Sequence, residues 1–535
     1  MALPLSESAH VDPFPRDHLP PADEWPDLRF DLPELRYPDR LNCATELLDR
    51  TVARMGGDRR CLVSDSATWT YADLLAHANR IAHVLVDDLG VVPGNRVVLR
   101  APNNPELVAC WFAVLKAGAV VVTTMPLLRR AELVPICERS LPSAAICDDR
   151  LLDELRAAAA GGLPVLPVSE LLDRAPSKPA TFDDVPTAAD DVALIAFTSG
   201  TTGAPKGCMH FHRDVLAIAD TFSAHVLRPR PDDLFCGSPP LGFTFGLGGL
   251  VVFPMRVGAA SLLLEQAGPP QLLEGIARHR ATISFTAPTA YRAMVRLLDG
   301  DARDLSSLRT GVSAGEALPK ATWHAFHDAT GVPLVDGIGA TELLHIFISA
   351  SGDAIRPGST GVPVPGYEAM VVDDDGEPVP DGEIGRLAVR GPTGCRYLAD
   401  ERQRRYVQRG WNLTGDSYVR DADGYFWFQA RSDDMIISAG YNIAGPEVED
   451  ALLRHPDVAE CAVVGVPDEE RGSIVKAYVV LADGVPATAD TAAGLQDFVK
   501  KEIAPYKYPR SVAFLDALPK TQTGKLQRFR LRELG

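Results

Sequence analysis

A stretch rich in glycine, threonine and serine carries the strongest chemical signal in this chain. Residues 197–207 read Phe-Thr-Ser-Gly-Thr-Thr-Gly-Ala-Pro-Lys-Gly and follow an apolar run, residues 192–196, that predicts a buried strand. Because glycine tolerates positive φ, successive backbone N–H groups can turn inward and bind an anion, and the hydroxyls and lysine add donors and charge. The stretch predicts a polyphosphate site, with an ordinary surface loop as the alternative. Its spacing is not that of a Walker A loop.

A second lysine follows a predicted turn near the end of the chain. Residues 519–526 read Pro-Lys-Thr-Gln-Thr-Gly-Lys-Leu. Lys525 is therefore either a surface lysine or one ammonium group presented at the tip of a turn, able to reach both a carboxylate and a phosphate. Residues 505–535 carry seven Lys or Arg against two acidic side chains. This segment is either a solvated basic tail or a positive element that closes on an anionic ligand.

Two further stretches place oxygen atoms next to glycine turns. Residues 337–342, Gly-Ile-Gly-Ala-Thr-Glu, offer a hydroxyl and a carboxylate. A hard oxygen ligand beside a phosphate site suits Mg²⁺, and a helix cap is the alternative. Residues 411–416, Trp-Asn-Leu-Thr-Gly-Asp, offer Asp416 as an acceptor for two vicinal hydroxyls or as a turn aspartate.

A rival function comes from the pattern Gly311-x-Ser313-x-Gly315, which fits the nucleophile elbow of a serine hydrolase. Such an enzyme would use Ser313 with a downstream aspartate and histidine. An elbow needs a helix directly after the serine, whereas Pro319 predicts that the next helix starts later. The hydrolase hypothesis also leaves the Gly/Thr stretch and the basic segment unexplained.

Taken in order, these motifs resemble the acyl-adenylate-forming superfamily of acyl-CoA synthetases, peptide-synthetase adenylation domains and luciferases, over essentially the whole chain. The resemblance implies that Lys525 is the catalytic lysine, that Glu342 binds Mg²⁺ and that the Thr341 hydroxyl contacts the nucleotide. It also implies an adenine-contacting segment at residues 313–319 and a ribose grip at Asp416 and Arg431. The nucleotide-binding residues expected on this basis are Thr198, Ser199, Gly200, Thr201, Thr202, Gly203, Lys206, Gly315, Glu316, Gly337, Asp416 and Arg431.

Two stretches, residues 240–248 and 337–348, indicate the class of substrate, because they are similar to the corresponding parts of benzoate- and aminobenzoate-CoA ligases. Residues 10–14, 41–43 and 438–446 strengthen the aminobenzoate comparison, although Ser438 stands where many relatives carry lysine. The implied substrate is a small aromatic acid of the 2-aminobenzoate, salicylate or benzoate type. The expected pocket residues are Phe243, Phe245, Gly246, Ile338, Gly339 and His345, and the expected CoA-channel residues are Gly440, Tyr441 and Asn442.

His345 is the polar candidate in this pocket. It lies three residues after Glu342, so on a helical turn the two side chains would share one face. A neutral imidazole offers one donor and one acceptor, enough to fix a carboxylate or an ortho substituent. The alternative is a histidine satisfied within the core.

The reaction implied by the resemblance has two steps and uses ATP, Mg²⁺ and coenzyme A. The carboxylate attacks the α-phosphate to give acyl-AMP and pyrophosphate, and the coenzyme A thiol then displaces AMP. Loading of a carrier-protein pantetheine is the alternative within the superfamily. A non-catalytic nucleotide sensor is a further alternative, disfavoured because every catalytic position is filled.

The composition is that of a globular chain of several domains: 535 residues, 46% hydrophobic and 23% charged. A net charge of −18 disfavours nucleic acid and anionic membranes as partners. The nine cysteines form no CxxC pair, which argues against a zinc site or a disulfide framework. Without a signal-peptide pattern or a membrane span, a cytoplasmic location is expected. The sequence leaves a monomer and a homodimer open.

Strands alternate with helical lengths along most of the chain, which predicts an α/β fold. Residues 1–40 are rich in proline and predict an extended arm. From about residue 365 short strands and tight turns predict a β-rich subdomain. The expected architecture is a large N-terminal body of layered α/β subdomains, residues 1–432, and a small mobile α+β domain, residues 433–535. Asp433, at the boundary, is the expected hinge.

Overall fold

The computed structural model describes residues 5–159, 162–198, 205–300, 303–431, 434–438, 441–468, 472–503, 505–520 and 526–534. Within these ranges the fold is α/β, as predicted, with three large sheets before residue 432 and a smaller α+β unit after it. The α-helices are Phe14–Asp17, Arg50–Met55, Tyr71–His83, Pro105–Lys116, Arg130–Ser140, Leu152–Ala158, Val168–Arg174, His212–Ile218, Thr244–Leu247, Phe253–Val257, Pro269–His279, Pro288–Leu298, Lys320–Thr330, Gln403–Tyr406, Gly445–Leu453, Ala489–Glu502 and Arg528–Glu533.

Shorter or wider helical turns join several of these helices or stand alone. The π-helical segments are Thr45–Asp49, Val84–Asp88, Ala219–Leu227 and Gly248–Val252. The 3₁₀ turns are Ala22–Glu24, Pro33–Leu35, Asp149–Leu151, Ala175–Ser177, Thr341–Leu343, Gly352–Ala354 and Pro505–Lys507.

Sheet A has six strands, and its last two flank the Gly/Thr stretch. In spatial order the strands are Val165–Pro167, Ala144–Cys147, Arg96–Arg100, Val120–Thr124, Val192–Thr198 and Lys206–Phe211. The first five run parallel and the sixth is antiparallel to its neighbour. Short connections produce antiparallel pairs, whereas parallel strands need a crossover. The register sets Thr198 opposite Lys206.

Sheet B has nine strands and is parallel except at its edges. In spatial order the strands are Val362–Pro363, Ile346–Ser349, Leu334–Gly339, Thr310–Ser313, Ile283–Thr286, Leu234–Gly237, Ala260–Leu262, Arg60–Val63 and Thr68–Thr70. Helix Pro105–Lys116 is buried at every position but Glu106, as expected for a helix enclosed by packed layers. It begins at Asn104, whose side chain accepts a hydrogen bond from the Leu107 N–H at 2.9 Å.

Sheet C is the predicted β-rich subdomain. Its antiparallel strands are Glu368–Val372, Ile384–Arg390, Trp411–Arg420, Val407–Gln408 and Phe426–Arg431. A backbone bridge between Cys208 and Tyr397 joins the segment between its strands to sheet A.

The last part of the chain is a compact α+β unit. A hairpin of Ile436–Ser438 and Tyr441–Ile443 precedes a sheet of Val458–Asp468, Gly472–Leu481 and Ser511–Phe514. Arg292 of the body donates to the Val458 carbonyl at 3.0 Å, and the Ala321 N–H donates to Asp450 Oδ1 at 3.3 Å. The boundary at residue 432 stays a prediction, since residues 432–433 lie outside the described ranges.

The proline-rich arm is not extended throughout, because it also contains short helical turns, among them Ala22–Glu24 and Pro33–Leu35. Phe14–Asp17 forms a helical turn with Pro15 in its first turn, where a missing N–H costs nothing. The arm is tied to the body by Arg16, whose guanidinium lies 3.2 Å from Asp190 and 3.0 Å from Asp191. Within the described ranges, none of the helices combines the length and apolarity needed to cross a membrane. The cytoplasmic location stays a prediction.

Candidate active site

Lys206 and Glu342, far apart in the chain, meet where sheets A and B approach each other. Lys206 begins strand Lys206–Phe211, and Glu342 lies in the 3₁₀ turn that follows strand Leu334–Gly339. The lysine Nζ is 3.4 Å from Glu342 Oε1. The residue predicted to bind phosphate and the residue predicted to bind Mg²⁺ are therefore neighbours, although 136 positions separate them.

Tyr397 contacts both of these side chains, and the sequence did not predict it as a site residue. Its hydroxyl accepts from Lys206 Nζ at 2.6 Å and donates to Glu342 Oε1 at 2.5 Å. Burial and the Glu342 charge raise the pKa of Tyr397 far above its usual value, so the phenol stays neutral. A single tyrosine in a loop carries no sequence signal for such a position.

The Thr341 backbone is held from sheet A. The ring Nε2 of His210, in strand Lys206–Phe211, lies 2.8 Å from the Thr341 carbonyl oxygen, which fixes Nε2 as the donor. His210 is fully buried, and its Nδ1 is 3.8 Å from Asp214 Oδ2. Asp214 is in turn paired with the buried guanidinium of Arg396. This network connects the residues after the Gly/Thr stretch to the turn that carries Glu342.

The predicted ribose-binding pair is also assembled. Asp416 and Arg431 occupy adjacent antiparallel strands, and Arg431 Nη1 is 3.2 Å from Asp416 Oδ1. Burial raises the pKa of Asp416, and the Arg431 charge opposes that shift. A buried carboxylate beside a guanidinium keeps acceptor capacity for hydroxyl groups.

The segment predicted to contact adenine meets the C-terminal unit. Gly315 has φ +93°, a conformation that favours glycine. Glu316 Oε1 accepts from the backbone N–H of Leu526 at 3.2 Å. The end of the second lysine motif therefore lies against the predicted nucleotide site. Lys525 itself lies outside the described residues, as do Ser199, Gly200, Thr201, Thr202, Gly203, Asp433 and Gly440.

Asp336, directly before Gly337, is a second residue that sequence reasoning missed. It lines a small cavity with Leu318, Trp323, Gly358 and other residues. Its Oδ1 is buried and has no hydrogen-bond partner in the described part of the chain. Burial raises the pKa of Asp336 to about 8, while backbone N–H groups of Gly337 and Leu318 oppose the shift. An unpaired acceptor here, beside the predicted adenine segment, suits an amine donor on a ligand.

The predicted substrate pocket divides into two parts. In the first part His345 is surrounded by phenylalanine rings, with centroid distances of 4.6 Å to Phe253 and 5.7 Å to Phe245. Strand pairing sets Ile338 opposite Ile348, and a Cβ added at Gly339 would lie 2.9 Å from the His345 carbonyl oxygen. The second part is a separate small cavity, and Phe243 is one of the residues that line it.

The helical turn predicted to carry Glu342 and His345 on one face is wrong. The turn ends at Leu343, Leu344 adopts φ +70°, and the chain enters strand Ile346–Ser349. Burial lowers the pKa of His345 to about 3, so its ring is neutral at neutral pH; a backbone contact with Phe245 weakly opposes this. Neither ring nitrogen has a hydrogen-bond partner of ordinary geometry among the described residues.

The second cavity lies against two neighbouring strands of sheet A, Val120–Thr124 and Val192–Thr198. Trp111, Thr123, Ala196, Phe243 and Thr244 are among the residues that line it. Gly246 lies beside it: a Cβ added there would be 2.2 Å from the Pro240 carbonyl oxygen, so the segment requires glycine at this position. For the predicted CoA channel, the structure describes only the backbone of Tyr441 and Asn442, in strand Tyr441–Ile443.

Ser313 does not have the environment of a nucleophile. It ends strand Thr310–Ser313, is fully buried, and its Oγ has no hydrogen-bond partner in the described ranges. The next helix, Lys320–Thr330, starts seven positions later. A nucleophile elbow needs a base within hydrogen-bond reach and an exposed oxygen, so the geometry argues against the hydrolase alternative.

The side chains of the site fit a Mg²⁺ ion that is held partly by the nucleotide, rather than one held by protein ligands alone. In the part of the chain that the structure describes, no group of three or more His, Cys, Asp or Glu side chains could hold a metal ion. Mg²⁺ is commonly held by one or two carboxylates together with substrate phosphates. Glu342, largely buried beside Lys206, supplies one such carboxylate next to the predicted phosphate loop.

Comparison with known proteins gives the class of this protein. Residues 48–397 match the profile of the AMP-binding enzyme, and residues 447–525 match that of the AMP-binding enzyme C-terminal domain. The chain belongs to the AMP-binding enzyme family, as its motifs predicted, and the predicted class of enzyme, an AMP-forming ligase, is confirmed.

Its relatives include enzymes that act on aromatic acids. The chain is 33% identical over 513 residues to a benzoate–CoA ligase of Thauera aromatica, covering 94% of this chain and 97% of that one. It also superposes on an anthranilate CoA ligase, AuaEII, solved in complex with anthranoyl-AMP, with a TM-score of 0.90 and 36% identity over 94% of this chain and 99% of the other. A benzoate CoA ligase from Burkholderia xenovorans gives a TM-score of 0.84 and 34% identity over 92% and 100% of the two chains.

Proposed function

We propose that this chain is an ATP-dependent aryl acid–CoA ligase. It activates a small aromatic carboxylate, of the 2-aminobenzoate, salicylate or benzoate type, as acyl-AMP and transfers the acyl group to the thiol of coenzyme A. The observation that carries the proposal is the similarity over nearly the whole chain to an anthranilate CoA ligase solved with anthranoyl-AMP. Support from this chain comes from the pairs Lys206–Glu342 and Asp416–Arg431, which lie where phosphate, metal and ribose would be needed.

The chemistry of the first step is mainly positioning and charge stabilisation. ATP would lie with its phosphates at residues 198–207, its ribose at Asp416 and its adenine amine at the unpaired Oδ1 of Asp336. Mg²⁺ would be held by Glu342 and the phosphates, and when bound it supplies positive charge to the departing pyrophosphate. Lys525 would stabilise the developing charge at the α-phosphate and carboxylate. No side chain of the enzyme need form a covalent intermediate.

The aromatic acid would bind near His345. A planar ring needs flat apolar walls, and the phenylalanine rings around His345 are of that kind. The imidazole is neutral and its nitrogens are unpaired among the described residues, so it can offer a donor and an acceptor to the carboxylate or to an ortho substituent. A polar group left unpaired in a buried site costs about 1–3 kcal/mol, which a suitable substituent would recover.

For the second step we propose that residues 433–535 move as a domain about Asp433. That motion would bring Gly440, Tyr441 and Asn442 to the path of the thiol. The hydrogen bond between Leu526 and Glu316 suits the first step, because it holds the segment that follows Lys525 at the nucleotide site.

A panel of carboxylates in a pyrophosphate-release assay tests the function. We expect 2-aminobenzoate, salicylate or benzoate to exceed hexanoate and acetate in kcat/KM by about tenfold or more, as expected for a site that pairs a buried polar group with its substrate. If hexanoate exceeded all three aromatic acids, the aryl pocket would be wrong and only the family assignment would stand. Comparing free coenzyme A with a pantetheine-bearing carrier protein as acceptor decides the last step.

Variants at His345 test the pocket itself. His345→Ala and His345→Leu should both raise KM for the aryl acid more than KM for ATP, and the leucine variant preserves the bulk of the ring. His225→Ala is the matched control, because His225 is bonded to Glu34 on the surface. Equal rises in KM for both substrates would mean that His345 supports the fold and not the acid.

A further inference from the structure

Three polar groups form a triangle at the centre of the site. Lys206 Nζ lies 2.6 Å from the Tyr397 hydroxyl, which lies 2.5 Å from Glu342 Oε1, whereas the lysine and the glutamate are 3.4 Å apart. An ammonium can only donate and a carboxylate can only accept. The tyrosine hydroxyl therefore accepts from the lysine and donates to the glutamate, and both of its hydrogen-bonding roles are used.

The backbone that carries Tyr397 is firmly held. The Leu398 N–H donates to the Gly207 carbonyl at 2.8 Å, and the Met209 N–H donates to the Arg396 carbonyl at 2.8 Å, on either side of the tyrosine. The Tyr397 N–H donates to the side chain of Gln403 at 2.9 Å. Tyr397 is fully buried, and its ring lies 4.6 Å below the Lys206 ammonium. A side chain fixed in this way can determine where a neighbouring carboxylate points.

We propose that Tyr397 is a positioning residue for Glu342: its hydroxyl holds the carboxylate ready for a nucleotide-bound divalent cation and keeps the ion pair with Lys206 at 3.4 Å rather than closer. The inference rests on the proposed function, in which Lys206 contacts phosphate and Glu342 the cation. When MgATP binds, the lysine turns to the phosphates, and the tyrosine keeps its hydrogen bond to the carboxylate.

Loss of the hydroxyl should have a specific consequence. Lys206 and Glu342 would then approach each other more closely than 3.4 Å, and a partly buried pair of opposite charges attracts more strongly than one in water. Metal-bound nucleotide would have to break that pair before it could bind. The binding of ATP without metal would suffer less, because only the lysine has to be released.

The measurement is the ratio of the ATP Kd in EDTA to the ATP Kd in excess Mg²⁺, by calorimetry on the full-length protein with no carboxylate present. This ratio reports the coupling between metal and nucleotide, independently of turnover. Tyr397→Phe should lower the ratio by about tenfold, as for loss of a charge-assisted hydrogen bond. Lys206→Met in the Tyr397→Phe background removes the competing ammonium and should restore the ratio.

Tyr406→Phe is the matched control. The Tyr406 ring is 5.8 Å from that of Tyr397, and its buried hydroxyl has no hydrogen-bond partner in the described ranges. Tyr406→Phe should keep the wild-type ratio. If Tyr397→Phe kept it too, or if both variants lost it equally, the positioning role would be refuted.

Glu342→Gln separates this inference from the function on which it rests. If Glu342→Gln left the ratio unchanged, the metal role of Glu342 would be wrong, and the inference with it. If Glu342→Gln lowered the ratio while Tyr397→Phe did not, the inference alone would fail. Near-UV circular dichroism of each variant checks that the tertiary packing is retained.

Discussion

Replacing Asp336 by asparagine should stabilise the protein at neutral pH. The side chain lines a small cavity, its Oδ1 is buried without a partner among the described residues, and burial raises its pKa from 3.8 to about 8. The charged form is therefore disfavoured in the folded state. An asparagine at this position is uncharged at every pH and can keep an acceptor towards the N–H groups of Gly337 and Leu318.

Proton linkage gives the direction and the size of the effect of Asp336 on the free energy of unfolding. When folding raises the pKa of a carboxyl group, that group does not destabilise the protein at pH values below its unfolded pKa. As the pH rises from the unfolded pKa to the folded pKa, the group lowers the free energy of unfolding progressively. The wild type should thus lose stability between about pH 4 and pH 8, with no further loss above that. An unfolded pKa of 3.8 and a folded pKa of about 8 would lower the free energy of unfolding by about 4 kcal/mol at pH 7. Because Asp336 is partly exposed, water screens its charge, and we expect a gain of about 1–3 kcal/mol for Asp336→Asn.

Thermal unfolding midpoints, measured from pH 5 to pH 8.5, test this reasoning. The midpoint of Asp336→Asn should exceed that of the wild type by an amount that grows with pH and levels off above about pH 8. Asp353→Asn, at an exposed aspartate, is the control and should show no such growth. A gain independent of pH, or a loss of stability at pH 8, would refute the account of a buried, unfavourably charged Asp336. Saturating ATP should reduce the difference, because an adenine amine would supply the missing donor.

Three other predictions concern catalysis and stability. Lys525→Ala should reduce acyl-AMP formation about 100-fold, as for removal of one preorganised charge, and leave thioester formation from synthetic acyl-AMP intact; equal losses in the two half-reactions would contradict the assignment. Asp433→Pro fixes φ at the proposed hinge, so acyl-AMP should still form while thioester formation falls, and a variant competent in both steps would exclude the hinge. Arg396→Met leaves the buried carboxylate of Asp214 unpaired and should cost about 3–5 kcal/mol of stability by thermal or urea unfolding. Adding Asp214→Leu to Arg396→Met should recover part of that loss. If Arg396→Met unfolded at the same midpoint as the wild type, the ion pair between Arg396 and Asp214 would not contribute to stability.

Much of the secondary structure was predictable because it depends on neighbours in the chain. The start of helix Pro105–Lys116 follows from Asn104 and Pro105, a cap and a first-turn proline, and both act within one turn. Strand Ala144–Cys147 is a short apolar run, a local pattern typical of a buried strand, and all four residues are buried. The compact unit after residue 434 is of the predicted α+β class, with helix Gly445–Leu453, two strands and helix Ala489–Glu502 in succession.

The prediction failed where a distant strand decides the local conformation. Residues 341–345 looked helical, but the chain has to reverse after Leu343 so that Ile346–Ser349 can pair antiparallel with Leu334–Gly339. Leu344 accordingly adopts φ +70°, which a leucine does not favour in isolation. The hydrogen bonds of the sheet outweigh the local preference, and the strand partner is not visible in a short window of sequence.

The motifs were enough to recognise the family and the residue types of the site, since glycine turns, hydroxyls, lysines and carboxylates stand at characteristic places in the chain. Which of these groups touch depends on the tertiary structure. Lys206 begins a strand of sheet A, whereas Glu342 lies in the turn that follows a strand of sheet B. The segment around Tyr397 runs beside sheet A and brings a hydroxyl into contact with both side chains. The unpaired oxygen of Asp336 likewise arises from the packing of the described residues around its cavity. Contacts and unpaired groups of this kind depend on how separate sheets pack, over distances that no local pattern in the chain records.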